Sequence, residues 1–225
     1  MPESQQRPEI NSVLFDLDGT LMDTAVDMIH ALMHLADNHG IEHQLNVADY
    51  RQYISKGAVA LVKSVFADPS AELLEQLRLE YLDIYQQQLN THSQLFDGIP
   101  DLLLHLDQRS IPWGIVTNKP SWLAKPIVEN TTELNASRIL VCADQVGIAK
   151  PHPKPLLHAA EAMQIVHTET LYLGDAKSDI DAAHAAGMQS GIALWGYLAP
   201  EDKVEEWLAH FRFSSSKEII TTITG

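Results

Sequence analysis

The chain has 225 residues, 45% of them apolar and 20% charged, with one cysteine and a formal net charge of −15. That length suits one large domain, or a core carrying a smaller insertion, and the composition is that of an ordinary globular protein. The acidic balance, with no basic stripe to offset it, argues against a nucleic-acid or anionic-membrane partner, and a lone thiol excludes an intramolecular disulfide framework.

The segment Met1 to Glu9 is polar and lacks the apolar stretch of a secretory leader. No apolar run approaches the roughly 18 residues of a membrane span, so a cytoplasmic protein is expected. The first predicted element is a buried strand at Val13–Phe15, which runs straight into Asp16-Leu17-Asp18-Gly19-Thr20. Carboxylates at the end of a buried strand are costly unless a cation or a hydrogen-bond network compensates them. Two so close together repel each other and call for a divalent metal, a shared proton or both. Asp16 is the candidate nucleophile of a phosphoryl transfer, forming an aspartyl-phosphate. Asp18 is the candidate general acid and then base, with its carbonyl free to face a metal. Taken alone, Asp18-Gly19-Thr20 also reads as an Asx-type turn.

Residues 24–95 read as almost entirely helical, with helices expected at Ala25–Asn38, Ala58–Phe66 and Ala71–Leu89, the last opened by Asp68-Pro69-Ser70. This is an inserted α-helical cap that leaves after the catalytic turn and returns at Leu95-Phe96-Asp97-Gly98. Leu21–Thr24 and Asp97-Gly98 are the hinge candidates. His30 and His34 are spaced to share a helix face, but a metal site needs a third ligand, so a cap-surface cluster with His39 and His43 is the reading.

From residue 96 onward strands and helices alternate. Helices are expected at Pro100–Gln108, Ser121–Asn130, Lys154–Met163 and Lys177–Ala186, and strands at Trp113–Val116, Ile139–Cys142, Leu171–Leu173 and Ser190–Leu194. Such alternation implies an α/β core with a doubly wound parallel sheet, Rossmann-like, whose site gathers at the carboxyl ends of the strands. The core is placed at residues 1–23 and 96–225 and the cap at 24–95. Three further elements end strands or approach them. Thr117 and Asn118 follow the second strand, where a hydroxyl and backbone amides can hold phosphoryl oxygens, or where a helix is simply capped. Lys150, in Lys150-Pro151-His152-Pro153, offers an ammonium to neutralise the acids and grip phosphate, while His152 reads as a loop histidine. Asp175 follows the fourth strand as a second carboxylate for Mg²⁺, and Asp179, one helical turn on, can orient it or hold a metal-bound water. Cys142 reads as a small buried strand-end residue.

These four elements, in this order and context, resemble the haloacid dehalogenase-like hydrolase superfamily, in the subgroup with a helical cap after the first motif. The resemblance covers all but the polar N-terminus and the last dozen residues. It implies Asp16 as nucleophile, Asp18 as acid/base, Thr117 and Lys150 as phosphate binders, and Asp16, Asp18 and Asp175 as Mg²⁺ ligands. An acid at position 18 separates the chain from dehalogenases and phosphonoacetaldehyde hydrolases, and leaves a beta-phosphoglucomutase-type reaction as a minor alternative to monoester hydrolysis. A binding-only protein of the same fold would be expected to lack one of the charged groups, and none is missing. Tyr53-Ile54-Ser55-Lys56-Gly57-Ala58, with Arg51 beside it, resembles the specificity loop of phosphoglycolate phosphatases, which makes Arg51, Lys56 and Gly57 substrate-binding candidates. The stretches Ile54–Val62, His92–Gly98, Trp113–Pro120 and Trp195-Gly196-Tyr197 look more like N-acetylmuramic acid 6-phosphate phosphatases. The expectation is therefore a Mg²⁺-dependent phosphatase of a small phosphorylated acid or sugar, as a monomer or homodimer.

Overall fold

The computed structural model describes residues 9–224. The leader-free N-terminus expected at the head of the chain therefore lies, but for Glu9, outside the described residues. Strand β1 (Ser12–Phe15) is buried along its whole length, and a two-residue strand, β2 (Met22–Asp23), carries the chain away from it. Four helices follow: α1 (Ala25–Asn38), α2 (Val47–Tyr50), α3 (Gly57–Lys63) and α4 (Ala71–Gln87). The chain then returns through β3 (Gln94–Leu95), which pairs antiparallel with β2, setting Met22 opposite Leu95 and Asp23 opposite Gln94. Both passages between the two layers thus run side by side as one ribbon.

Beyond it come α5 (Ile99–Gln108), β4 (Trp113–Thr117), α6 (Ser121–Glu129), β5 (Leu140–Cys142), α7 (Ala143–Val146), α8 (Lys154–Met163), β6 (Thr170–Gly174), α9 (Lys177–Ala185), β7 (Gln189–Ala193), β8 (Phe211–Phe213) and α10 (Ser216–Thr224). Six strands form one parallel sheet in the order β5-β4-β1-β6-β7-β8. The winding direction reverses between β1 and β6, and at such a switch point a crevice opens outside the strand ends.

Side chains alternate between the faces of the sheet. Val13, Phe15, Ile115, Leu171 and Leu173 pack with α5, α6 and Ile219 of α10, while Leu14, Val116, Val141 and Tyr172 pack with α8 and α9. The alanines of α9, Ala182 and Ala183, let that helix lie close against Tyr172. Helices α1, α3 and α4 share a separate cluster built on Ile29, Leu32, Leu61, Tyr81 and Tyr85, which reaches the sheet layer through Leu123 and Tyr197.

The expected strands and the helices α1 and α8 stand where the apolar pattern put them. Helix α3 starts one residue before the expected Ala58 and ends at Lys63, and α4 stops at Gln87, capped at its start by Ser70, whose Oγ accepts from Leu73 N at 3.2 Å. The chain end adds two elements that were not expected: strand β8 extends the sheet beside β7, and α10 covers it, with Ile219 fully buried. Three residues with Arg212 in the middle are too few to show a strand period. Among the described residues no helix is long and apolar enough to cross a membrane.

Candidate active site

The turn after β1 is closed by backbone bonds from Leu21 and Met22 to the Leu17 carbonyl, at 3.0 and 2.9 Å. Asp16 N donates to Leu173 O on β6 at 2.8 Å, which anchors the first acid at the switch point. Its carboxylate accepts at Oδ1 from Leu17 N at 2.8 Å and from Lys150 Nζ at 2.9 Å. Gly19 has φ +81°, and a Cβ there would collide with the Asp175 carboxylate, so the turn passes that acid only without a side chain.

Lys150 reaches the site from the loop before α8. Asn118 fixes its backbone on both sides: Lys150 N donates to Asn118 Oδ1 at 2.9 Å, and Asn118 Nδ2 donates to Lys150 O at 3.0 Å. The Asn118 side chain is thereby engaged in aiming the lysine, whereas the expectation at this position concerned backbone amides. Lys150 Nζ is surrounded by Asp16 Oδ1, Asp179 Oδ1 at 2.7 Å, the Tyr172 hydroxyl at 2.8 Å and Val116 O at 3.2 Å. Burial works to lower the lysine pKa, but the facing Asp16 and Asp179 charges outweigh it and hold it above the ordinary value.

Asp175 follows β6. Its Oδ2 accepts from Tyr197 N at 2.8 Å and from the Ser55 hydroxyl at 3.2 Å, and its Oδ1 accepts from Thr20 Oγ1 at 3.3 Å. Burial, then repulsion from Asp179 and Asp16, pushes its pKa up to about 8. Burial likewise raises Asp16 to about 6, against the opposing attraction of Lys150. One carboxylate oxygen from each of Asp16, Asp175 and Asp179 lies within 4.8 Å of the others, and this is the one such acid, histidine or cysteine group among the described residues. Crowded, buried carboxylates that resist ionisation, offering hard oxygen atoms, are a donor set suited to a divalent cation such as Mg²⁺. Asp179 has other work as well: its Oδ2 accepts from Ala176 N at 3.0 Å while Oδ1 faces Lys150 and Tyr172. Its first occupation is to hold the lysine.

Asp18 Oδ1 accepts from Thr24 Oγ1 at 2.6 Å and from Lys119 Nζ at 2.8 Å. Lys119 Nζ also donates to the Tyr85 hydroxyl at 2.9 Å. A cavity of about 230 Å³ opens over these groups between α1, α3, α4 and the strand ends. Asp16, Asp18, Thr117, Asn118, Lys150 and Asp175 line its floor. Lys56 and Gly57 are among its lining residues, and Lys56 Nζ is also 3.2 Å from Glu201 Oε1. Arg51 is not among the lining residues: its guanidinium pairs with Asp23 at 3.3 Å and stacks 5.0 Å over the Tyr197 ring, at the ribbon between the layers.

Among the histidines, His30 packs edge-on to His92, His39 and His43 pair with Glu80 and Asp37, and His152 Nδ1 accepts from Lys154 N. Cys142 is buried, and desolvation pushes its thiol up to about 12. Lys119, Ser55, Thr24 and Tyr197 stand in stretches that the sequence marks out, without a role assigned to any of them. The signals for Lys119 are its place directly after Thr117-Asn118 and within the stretch Trp113–Pro120.

The haloacid dehalogenase-like hydrolase family matches residues 13–193 of the chain. A phosphoglycolate phosphatase of Xanthomonas campestris pv. campestris is 41% identical over 198 residues, covering 88% of this chain and 89% of that protein. An N-acetylmuramic acid 6-phosphate phosphatase of Pseudomonas aeruginosa is 36% identical over 219 residues, covering 97% and 96%. The solved structure of a haloacid dehalogenase-like family hydrolase from Streptococcus pneumoniae superposes with a TM-score of 0.82 at 22% identity, over 94% of this chain and 97% of that one.

Proposed function

The chain belongs to the haloacid dehalogenase-like hydrolase family and is a phosphatase, and from that premise we propose a Mg²⁺-dependent monoester hydrolase working through an aspartyl-phosphate on Asp16, with 2-phosphoglycolate as substrate. One observation carries this reading. The hydrogen bonds on the Asp16 carboxylate fall on Oδ1, held by Leu17 N and Lys150, at the floor of a cavity that Asp18 also lines. Oδ2 of Asp16 attacks phosphorus as the bond to the leaving oxygen breaks, and Asp18 gives that oxygen its proton. Asp18 then takes a proton from the water that attacks the same phosphorus, which releases inorganic phosphate and restores Asp16.

Thr117 Oγ1 and Lys150 Nζ hold the phosphoryl oxygens as charge builds on them. Asp16, Asp175 and the Asp18 carbonyl would hold Mg²⁺, which when bound supplies positive charge against both the acids and the phosphoryl group. Helices α1–α4 act as the cap, and Ser55, reaching Asp175 from that layer, closes the floor against bulk water. A cavity of about 230 Å³ suits a small metabolite better than a drug-sized ligand, for which about 300 Å³ or more is usual.

A second substrate, N-acetylmuramic acid 6-phosphate, is favoured by the upper wall, where Met28, Ile54, Leu82 and Leu123 offer more apolar surface than a two-carbon acid uses. The test is Mg²⁺-dependent phosphate release from an aryl phosphate, with Asp16→Asn as control, followed by both natural esters. Equal turnover in Asp16→Asn removes the nucleophile assignment. A rate near background on both esters removes the substrate assignment.

A further inference from the structure

Three lysines line the cavity, and two are committed elsewhere. Lys150 is enclosed by Asp16, Asp179 and Tyr172, and Lys56 is 45% exposed beside Glu201. Lys119 differs from both. Its side chain is 4% exposed, and it lines the cavity beside Asp18 and Tyr85. Its backbone is fixed by the bond from Lys119 N to Thr117 Oγ1 at 3.1 Å and by Pro120, which starts α6.

An ammonium carries three N–H donors. Two are used, one on Asp18 Oδ1 and one on the Tyr85 hydroxyl, which also brings its ring to 4.6 Å from Nζ. The third has no acceptor among the described residues. A largely buried ammonium in the cavity wall, fixed beside Asp18, is placed to give that donor to an anionic group of a bound ligand.

We propose that Lys119 is the specificity-determining residue of this site, and that it recognises a carboxylate carried by the leaving group close to the ester oxygen. The inference rests on the phosphatase reading above and deepens it. Asp18 serves the leaving oxygen, and Lys119 Nζ is one hydrogen bond away from Asp18. A carboxylate on the carbon that bears the phosphate, or on the next one, meets Nζ. One on the far side of a sugar ring does not. Small phospho-acids are thereby selected over neutral phospho-alcohols of the same size.

The test is calorimetric binding with Mg²⁺ present, in an Asp16→Asn background that prevents turnover, comparing 2-phosphoglycolate with 2-hydroxyethyl phosphate. The carboxylate ester is expected to bind at least about tenfold tighter, the scale of one hydrogen bond to a charged group. Adding Lys119→Gln brings the ratio to about one, and Lys119→Arg keeps part of the preference, since it restores the charge at that place. Equal affinities in the Asp16→Asn parent overturn the proposal, whether or not the glutamine variant folds. So does a preference that survives Lys119→Gln. Aryl phosphate turnover in the unmodified protein reads the phosphatase assignment separately, so the failure of one is distinct from the failure of the other.

Discussion

Lys150 and Asp179 form an ion pair, Nζ to Oδ1 at 2.7 Å, between side chains that are each 1% exposed. Removing one partner of such a pair leaves the other charge buried and uncompensated, a cost of about 3–5 kcal/mol. Lys150→Met is expected to lose that much stability in urea unfolding at neutral pH, and Mg²⁺ to restore part of it by taking over the charge beside Asp16. The exposed pair Lys177–Asp181, as close at 2.6 Å, is the control: Lys177→Ala changes stability by about 0.5 kcal/mol or less.

The metal-free protein is expected to lose stability as pH rises. Asp16 and Asp175 have folded-state pKa values of about 6 and about 8, above the ordinary 3.8, because burial opposes their charged forms. Between pH 4 and 8 the folded state therefore binds more protons than the unfolded one, and the linkage sign makes unfolding easier with each rise in pH. The loss is fully developed above pH 8 and absent below pH 4. Mg²⁺ held by the ionised carboxylates would stabilise the protein, and increasingly so over the same window. Thermal unfolding across pH, with and without the ion, measures both slopes, and a flat metal-free profile would contradict the raised values.

Gly19→Ala is expected to abolish Mg²⁺-dependent activity and to destabilise the fold by about 1–3 kcal/mol, because a non-glycine residue is strained at φ +81°. The added Cβ also meets the Asp175 carboxylate, which must move out of its place beside Asp16. Gly57→Ala, with the same sign of φ but open space around the new atom, pays the backbone strain alone and retains the ion effect. Comparing Mg²⁺ titrations of the two variants separates strain from collision.

Asp27, 1% exposed in the first turn of α1, accepts from His92 N and Ser93 N, the His92 ring and the Ser93 hydroxyl at 2.6–3.1 Å. It fastens α1 to the residues just before β3. Asp27→Ala leaves two backbone N–H groups without their acceptor, at about 1–3 kcal/mol each if they stay buried. The expected result is earlier unfolding in urea and faster hydrogen exchange at His92 and Ser93, with Asp16, Asp175 and Asp179 unaffected.

How much of this was legible before folding depends on the kind of residue. The positions of Asp16 and Asp175 were, because each follows a run of strand formers where a charge is costly, and Lys150 was marked by Pro151 and Pro153. Asp179 was legible as a residue but not in its occupation, since its first partner, Lys150, arrives from another segment. Arg51 was assigned to the substrate from its neighbours Lys56 and Gly57, yet its partners, Asp23 and Tyr197, flank the ribbon between the layers. Lys119 had no pattern of its own, because a lysine after a strand end is by default a solvated one. Strand β8 was too short to show alternation.

The sequence by itself determined the alternating α/β core, the helical insertion after the first turn, the family and the acids that gather at the strand ends. These depend on apolar periodicity and on charges adjacent to it, which are local properties of the chain. Tertiary structure alone decided which cation serves which acid and how much of each is exposed: Lys150 to Asp16 and Asp179, Lys119 to Asp18 and Tyr85, Arg51 to Asp23. The strength and acceptors of a charge depend on its dielectric surroundings and on partners distant in sequence, and both come into being only when the layers close.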